Sequence, residues 1–232
     1  SGFQRVGDLA WLAGDMQARG FLIGATAGRT TLYGEGLQHE DGHSLILANT
    51  IPNCKSFDPA YNFELAVIIQ DGMRRMYKEG ENCFYYVTTM NENYVHHAMP
   101  EGAEEGIIKG MYKLKAGTTK KKNRVQLMGG GAILREVEAA ADILRDDFDV
   151  ESDIWSLTSV NELTRQGQHI HRHNTLHPED SPKKAYITEC LEDAEGPVIA
   201  ATDYMKAYAE QLRAFIPGPS YTVLGTDGFG RH

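Results

Sequence analysis

The chain reads as an α/β protein built from parallel sheets layered with helices. Runs rich in aromatic and β-branched residues, such as Phe84-Tyr85-Tyr86-Val87-Thr88-Thr89, alternate with stretches in which apolar residues recur every three or four positions. Glycine and proline punctuate the joints between them. A series of this kind closes by right-handed crossovers between parallel strands.

Taken in order, a helix begins near Gln4 with Val6, Leu9, Ala10, Ala13 and Met16 on one face, and Gly20 separates it from the strand-like Phe21-Leu22-Ile23. A glycine-rich loop, 28–44, follows. A second apolar stretch, 45–51, stops at Pro52. Asp58-Pro59 is placed to cap a helix over 60–77 whose inward face is Phe63, Ala66, Val67, Gln70 and Met73. Residues 79–82 break that pattern ahead of the strand at 84–89. The stretch 90–123 reads as connection, with a short helix near 103–112. A new unit opens with a strand at 124–128, a turn at Gly129-Gly130-Gly131, and a helix with Ile133, Val137, Ala140, Ala141, Leu144 and Phe148 facing inward. Strands at 154–158 and 197–201 come next. Thr202-Asp203 then opens a helix that buries Met205, Tyr208, Ala209, Leu212 and Phe215 and ends at Pro217-Gly218-Pro219, before a last strand at 221–225. The expected organisation is a first unit at 1–80, a connecting segment at 81–123 and a second α/β unit at 124–232.

Composition narrows the function. With 232 residues and 41% hydrophobic content the chain can bury a core. A net charge of -9 repels a phosphate backbone, and the one basic run, Lys120-Lys121-Lys122, lacks interleaved aromatics, so nucleic-acid binding is not expected. Cys54, Cys83 and Cys190 are odd in number and widely spaced, which fits a reducing cytoplasm rather than a disulfide framework or a thiolate zinc site. No stretch has the apolar length of a membrane span, and no signal-peptide pattern opens the chain. Both ends read as cut, since the chain starts at Ser1-Gly2 without Met.

Three features invite a chemical reading. The loop 28–44 packs glycines, acidic and amide side chains and two histidines behind an apolar run. His39 and His43 suit proton transfer near neutral pH, and equally suit hydrogen bonding within a structured turn. Met128-Gly129-Gly130-Gly131 stands where a strand-to-helix turn could hold a phosphate, but it lacks both the G-x-G-x-x-G spacing and a Lys-Ser/Thr ending, which favours a plain tight turn. His169, His171 and His173 occupy alternate positions, with His177 nearby, so an extended backbone would aim three imidazoles one way. Their polar neighbours describe an exposed loop, and no resident metal is expected there.

The loop Gly28-Arg29-Thr30-Thr31-Leu32-Tyr33-Gly34-Glu35-Gly36-Leu37-Gln38-His39-Glu40-Asp41-Gly42-His43-Ser44 closely resembles that of the homodimeric bacterial pyruvate dehydrogenase E1 component family. The resemblance continues through Thr50-Ile51-Pro52-Asn53-Cys54, Asp58-Pro59-Ala60-Tyr61, Asn91-Glu92-Asn93-Tyr94, Ala98-Met99-Pro100-Glu101-Gly102, Thr202-Asp203-Tyr204-Met205 and Leu224-Gly225-Thr226-Asp227-Gly228-Phe229-Gly230, and covers essentially the whole chain. It implies the later part of a pyrimidine-binding middle domain of the thiamine-diphosphate-binding fold, followed by a truncated transketolase C-terminal-like α/β domain. It also implies an oxidoreductase that decarboxylates pyruvate and passes the acetyl group to lipoyl groups of the dihydrolipoyl acetyltransferase, alongside dihydrolipoyl dehydrogenase. By the same resemblance His39 points into the active centre and hydrogen-bonds the substrate-cofactor adduct. His43, Glu40 and Asp41 are the weaker candidates, suited to orienting the loop. The carboxylate for the aminopyrimidine ring and the ligands of magnesium and diphosphate lie in family segments that precede Ser1. The piece alone is therefore expected to be catalytically incomplete, with an open apolar sheet edge that favours self-association. Another thiamine-diphosphate enzyme, such as a transketolase or a different 2-oxo acid dehydrogenase, and a non-catalytic dimerisation module are the alternatives.

Overall fold

A computed structural model describes residues 2–25, 27–29, 40–118, 123–218 and 220–230. After a short 3-10 turn at Gly2–Arg5, the first unit runs α1 (Gly7–Asp15), β1 (Phe21–Gly24), α2 (Ser44–Asn49), β2 (Cys54–Phe57), α3 (Asn62–Met73) and β3 (Phe84–Thr88). The second runs α4 (Ala103–Lys109), β4 (Met111–Lys115), β5 (Arg124–Gly129), α5 (Ile133–Phe148), β6 (Glu151–Leu157), α6 (Val160–Leu176), α7 (Tyr186–Leu191), β7 (Val198–Ala201), α8 (Lys206–Glu210) and β8 (Tyr221–Leu224). The α/β class predicted from the alternation is the class observed. The first sheet has order β1-β3-β2 and is parallel throughout. The second has order β4-β6-β5-β7-β8 and is parallel except where β4 pairs antiparallel with β6.

Several expectations need correction. The stretch 81–123 is more than a connection, because β3 is the central strand of the first sheet and β4 an edge of the second. Met111-Tyr112-Lys113-Leu114-Lys115 has strand alternation, with Lys113 and Lys115 exposed, where the expected helix near 103–112 would end and a connection follow. In α3 the inward face is Glu64, Ile68, Asp71 and Gly72, not the apolar set 63, 66, 67, 70 and 73. Two carboxylates take the buried positions because each finds partners there, so a hydrophobicity pattern points to the wrong side. Asp58 does not cap this helix. Its side chain turns instead to Thr88 and Tyr204. The histidine run is helical, so residues two apart do not share a face. His171 lies against Phe215 with ring centroids 4.9 Å apart, while His173 lies against His177 at 4.7 Å.

The two sheets share their cores. One cluster joins Phe3, Leu45 and Tyr86 of the first unit to Trp155, Leu163 and Tyr208 of the second, and another joins Tyr85 and Ile68 to Leu127 and Leu134. Helix α6 is the main strut between them. Ser159 Oγ caps it through the Glu162 amide and donates to Ser56 O, and Asn161 Nδ2 donates to Leu45 O and Ser56 Oγ. The Arg165 guanidinium donates to Asn49 O, Ile51 O and Cys54 O, which places a cation at the carbonyl end of α2. At the far edge, β1 exposes Leu22 and Ile23, and α1 exposes Leu9, Trp11 and Leu12. The apolar face predicted for the first helix exists but is largely uncovered in this chain. Among the described residues, no helix is long and apolar enough to cross a membrane.

Candidate active site

In a parallel α/β sheet the loops leaving the carboxyl ends of the strands form the crevice where ligands bind. Here those loops are 25–43 after β1, Asp58-Pro59 after β2, and Thr89-Met90 with the residues that follow after β3. His39, the predicted catalytic residue, lies outside the described residues, as do the ten positions 30–39 together. The flanks of that segment are well defined. Arg29 Nε donates to Glu40 O at 3.0 Å, so the two flanks of 30–39 meet. The same guanidinium reaches Thr226 O, Thr226 Oγ1 and Gly228 O in the second unit. Met205 N donates to Gly42 O at 3.0 Å, and Gly42 and Gly230 fit tightly because a Cβ on either would lie 2.2 Å from Arg29 or Glu40. The loop base is thus gripped by the segment 203–230 of the other sheet.

Asp41 and His43 take structural places in this base. Asp41 Oδ1 accepts from Gln4 Nε2 and from the His43 and Ser44 amides, which starts α2. Burial pushes its carboxyl up, but the hydrogen bonds from Ser44, His43 and Gln4 outweigh this and leave its pKa lowered. His43 is half-buried at the N-cap of α2.

The strongest electrostatic feature escaped the sequence reading. Asp58 is buried where the carboxyl ends of both sheets face each other. Its amide donates to Thr158 O and its carbonyl accepts from the Gly131 amide, while Oδ1 accepts from Thr88 Oγ1 at 2.5 Å and Tyr204 OH at 2.9 Å. Burial raises its pKa to about 7; the bonds from Thr88 and Tyr204 oppose the rise, and nearby Asp203 and Glu64 add to it. Glu64 is likewise buried and raised, chiefly by desolvation. Its carboxylate accepts from the Ala60 and Tyr61 amides, Ser156 Oγ and Tyr112 OH, tying the start of α3 to β4 and β6.

Beside these groups opens a small cleft of about 100 Å³. Tyr61, Thr88, Met90, Tyr94 and His96 are among its lining residues. His96 Nδ1 accepts from the Asn62 amide at 3.1 Å, which leaves the proton of the neutral imidazole on Nε2. Its ring stacks on Tyr94 at 4.6 Å, and the Arg135 guanidinium covers the Tyr94 ring at 4.1 Å while pairing with Glu92. His97 and Lys115 both reach Glu138, which also accepts from Tyr61 OH. The signal for His96 and His97 was their position after the β3 run, where loops of a parallel sheet carry function.

The turn Gly129-Gly130-Gly131 is packed closely against protein. A Cβ on Gly130 would lie 2.2 Å from Leu157 O, and one on Gly131, at φ +53°, 2.5 Å from the Asp58 carboxylate oxygens. Among the described residues no three His, Cys, Asp or Glu side chains gather at metal-ligand distance.

Two largely parallel sheets joined at their carboxyl ends, with Arg29 and Glu40–Gly42 held across the joint, define a transketolase-like α/β pair. The transketolase of Campylobacter jejuni superposes with a TM-score of 0.68 at 18% identity, over 99% of this chain and 30% of that one. That of Leishmania mexicana gives 0.66 at 13%, over 99% and 29%. These show the fold. Residues 1–97 match the pyruvate dehydrogenase E1 component middle domain and residues 110–232 the transketolase-like C-terminal domain. The chain is 63% identical to the pyruvate dehydrogenase E1 component of Pseudomonas aeruginosa over 230 residues, and 61% identical to that of Escherichia coli over 231. It belongs to the pyruvate dehydrogenase E1 family. Each alignment takes in 99% of this chain and 26% of the relative, so the chain spans about a quarter of the length of these relatives.

Proposed function

We propose that this chain is the part of a thiamine-diphosphate-dependent pyruvate dehydrogenase that carries the histidine loop facing the substrate. The observation behind this is the identity of 57–63% to pyruvate dehydrogenase E1 components along 99% of the chain. In this reading the whole enzyme decarboxylates pyruvate oxidatively in the cytoplasm as a homodimer, and transfers the acetyl group to lipoyl groups of dihydrolipoyl acetyltransferase, with dihydrolipoyl dehydrogenase closing the cycle. Thiamine diphosphate supplies the electron sink, so protein groups need to position pyruvate, stabilise charge and move protons.

The described residues do not themselves fit the cofactor. The glycine turn is filled by Leu157 O and the Asp58 carboxylate, and the carboxylates of Asp58 and Glu64 are committed to internal donors. Its ligands and those of magnesium belong to parts of the enzyme outside this chain. What remains for the chain is proton chemistry and positioning. His39 is the proton-exchanging group, able to donate as a cation to an anionic adduct, and the Arg29 clamp holds the flanks of its loop against the second unit.

The test is substrate profiling of the full parent enzyme with thiamine diphosphate, magnesium, the acetyltransferase and dihydrolipoyl dehydrogenase, followed by NADH formation. Pyruvate is expected to be preferred. Preference for a longer 2-oxo acid, or ketol transfer between sugar phosphates, would replace this reading with the related thiamine-diphosphate enzymes.

A further inference from the structure

We propose that His173 and His177 form a clamp for a first-row divalent transition-metal cation at the C-terminal end of α6, with Asp180 as the adjoining carboxylate. As an extended loop the histidine run would have offered three imidazoles on one side. The helix changes which histidines meet. His173 and His177 stand four residues apart, and the His177 amide donates to His173 O at 2.9 Å, so the helical turn persists through the second histidine. Their rings lie side by side, 4.7 Å between centroids and 33° between planes. Two imidazoles at this spacing on one helical turn can chelate a single ion through ring nitrogens.

The surroundings favour a cation. His173 Nε2 is shielded from solvent and finds no hydrogen-bond partner, and the Asp180 carboxylate stands 3.8 Å from it. The Glu179 carboxylate stands 3.6 Å from His177 Nδ1. The turn that carries both acids is fixed. The Asp180 amide donates to His177 O, and Asn174 exchanges two hydrogen bonds with the Lys183 backbone at 2.9 and 3.0 Å. No three of these side chains already converge at ligand distance, so the two imidazoles make the chelate, a small rotation brings Asp180 in, and water completes the shell.

Imidazole with a carboxylate suits copper, nickel and zinc, and does not suit magnesium. The site is thus chemically separate from the magnesium of the proposed reaction.

The experiment uses the full parent enzyme saturated with magnesium, titrated with nickel alone or zinc alone by calorimetry, and with copper for electron paramagnetic resonance. Wild type is expected to bind one more equivalent than His177→Ala, and that equivalent is expected to weaken at least tenfold in His173→Gln. The copper spectrum should carry splitting from two nitrogens, and His171→Ala should leave all three results unchanged. Equal binding by wild type and His177→Ala overturns the proposal. So does equal weakening by His171→Ala, which would return the site to the alternate-residue set. All three variants alter partly or fully exposed side chains, and thermal melting checks that they fold.

Discussion

Asp58 shows how one residue can link the two sheets, and its ionisation makes a measurable prediction. Its folded pKa is raised to about 7 by burial, above the 3.8 of the free side chain. The folded state therefore holds a proton that the unfolded state releases between these values. The associated stability is complete below about pH 4 and is lost as pH rises to about 7, on the order of 4 kcal/mol in total. Asp58→Asn keeps the acceptor for Thr88 and Tyr204 and removes the titration. The variant is expected to gain melting temperature over wild type as pH rises from 5 to 8; a constant offset would contradict this. Arg29 is a second such residue. Arg29→Ala removes the bonds to Glu40, Thr226 and Gly228, with an expected cost of about 1–3 kcal/mol and a fall in activity larger than the fall in stability explains, readable as a lower kcat at full cofactor saturation. Neither role was legible beforehand. Asp58 read as a helix cap because Asp-Pro does begin helices, and the Arg29 to Gly228 bond joins residues 199 apart in the chain.

At the scale of elements, periodicity found α1, β3, α5, β7 and β8 and failed where buried polar groups replace apolar ones. In α3 Glu64 occupies a core position because two amides and two hydroxyls surround it. Glu64→Ala is expected to leave those donors unpaired and to destabilise the protein by about 3–5 kcal/mol, whereas Val67→Ala, on the predicted face, should cost less than half as much in urea unfolding. Helix α6 was missed because glutamine and histidine dominate its second half, although Ser159 and Glu162 carry a capping pattern visible in the sequence. The strand-to-helix turn was legible. At Gly131 φ is +53° and the Asp58 carboxylate fills the place of a side chain, so Gly131→Ala is expected to cost about 2 kcal/mol or more.

For the whole molecule, the alternation of strands and helices made two sheet-and-helix units legible, and their fusion through shared cores was not, because it depends on contacts between distant segments such as Arg29 with Gly228 and Tyr204 with Asp58. The uncovered apolar face of α1 and the open edge at β1 predict that this chain by itself self-associates, and light scattering showing a monodisperse monomer would contradict that. The role proposed for His39 rests on resemblance, since composition alone allowed a structural turn as readily as a catalytic one. The most direct test of the account is therefore NADH formation from pyruvate by the full parent enzyme in the reconstituted complex, comparing wild type with His39→Ala and His43→Ala. A loss of about 100-fold or more in kcat for His39→Ala, with a much smaller loss for His43→Ala, is the result the account predicts. Unchanged activity in His39→Ala would contradict it and return the loop to a purely structural role.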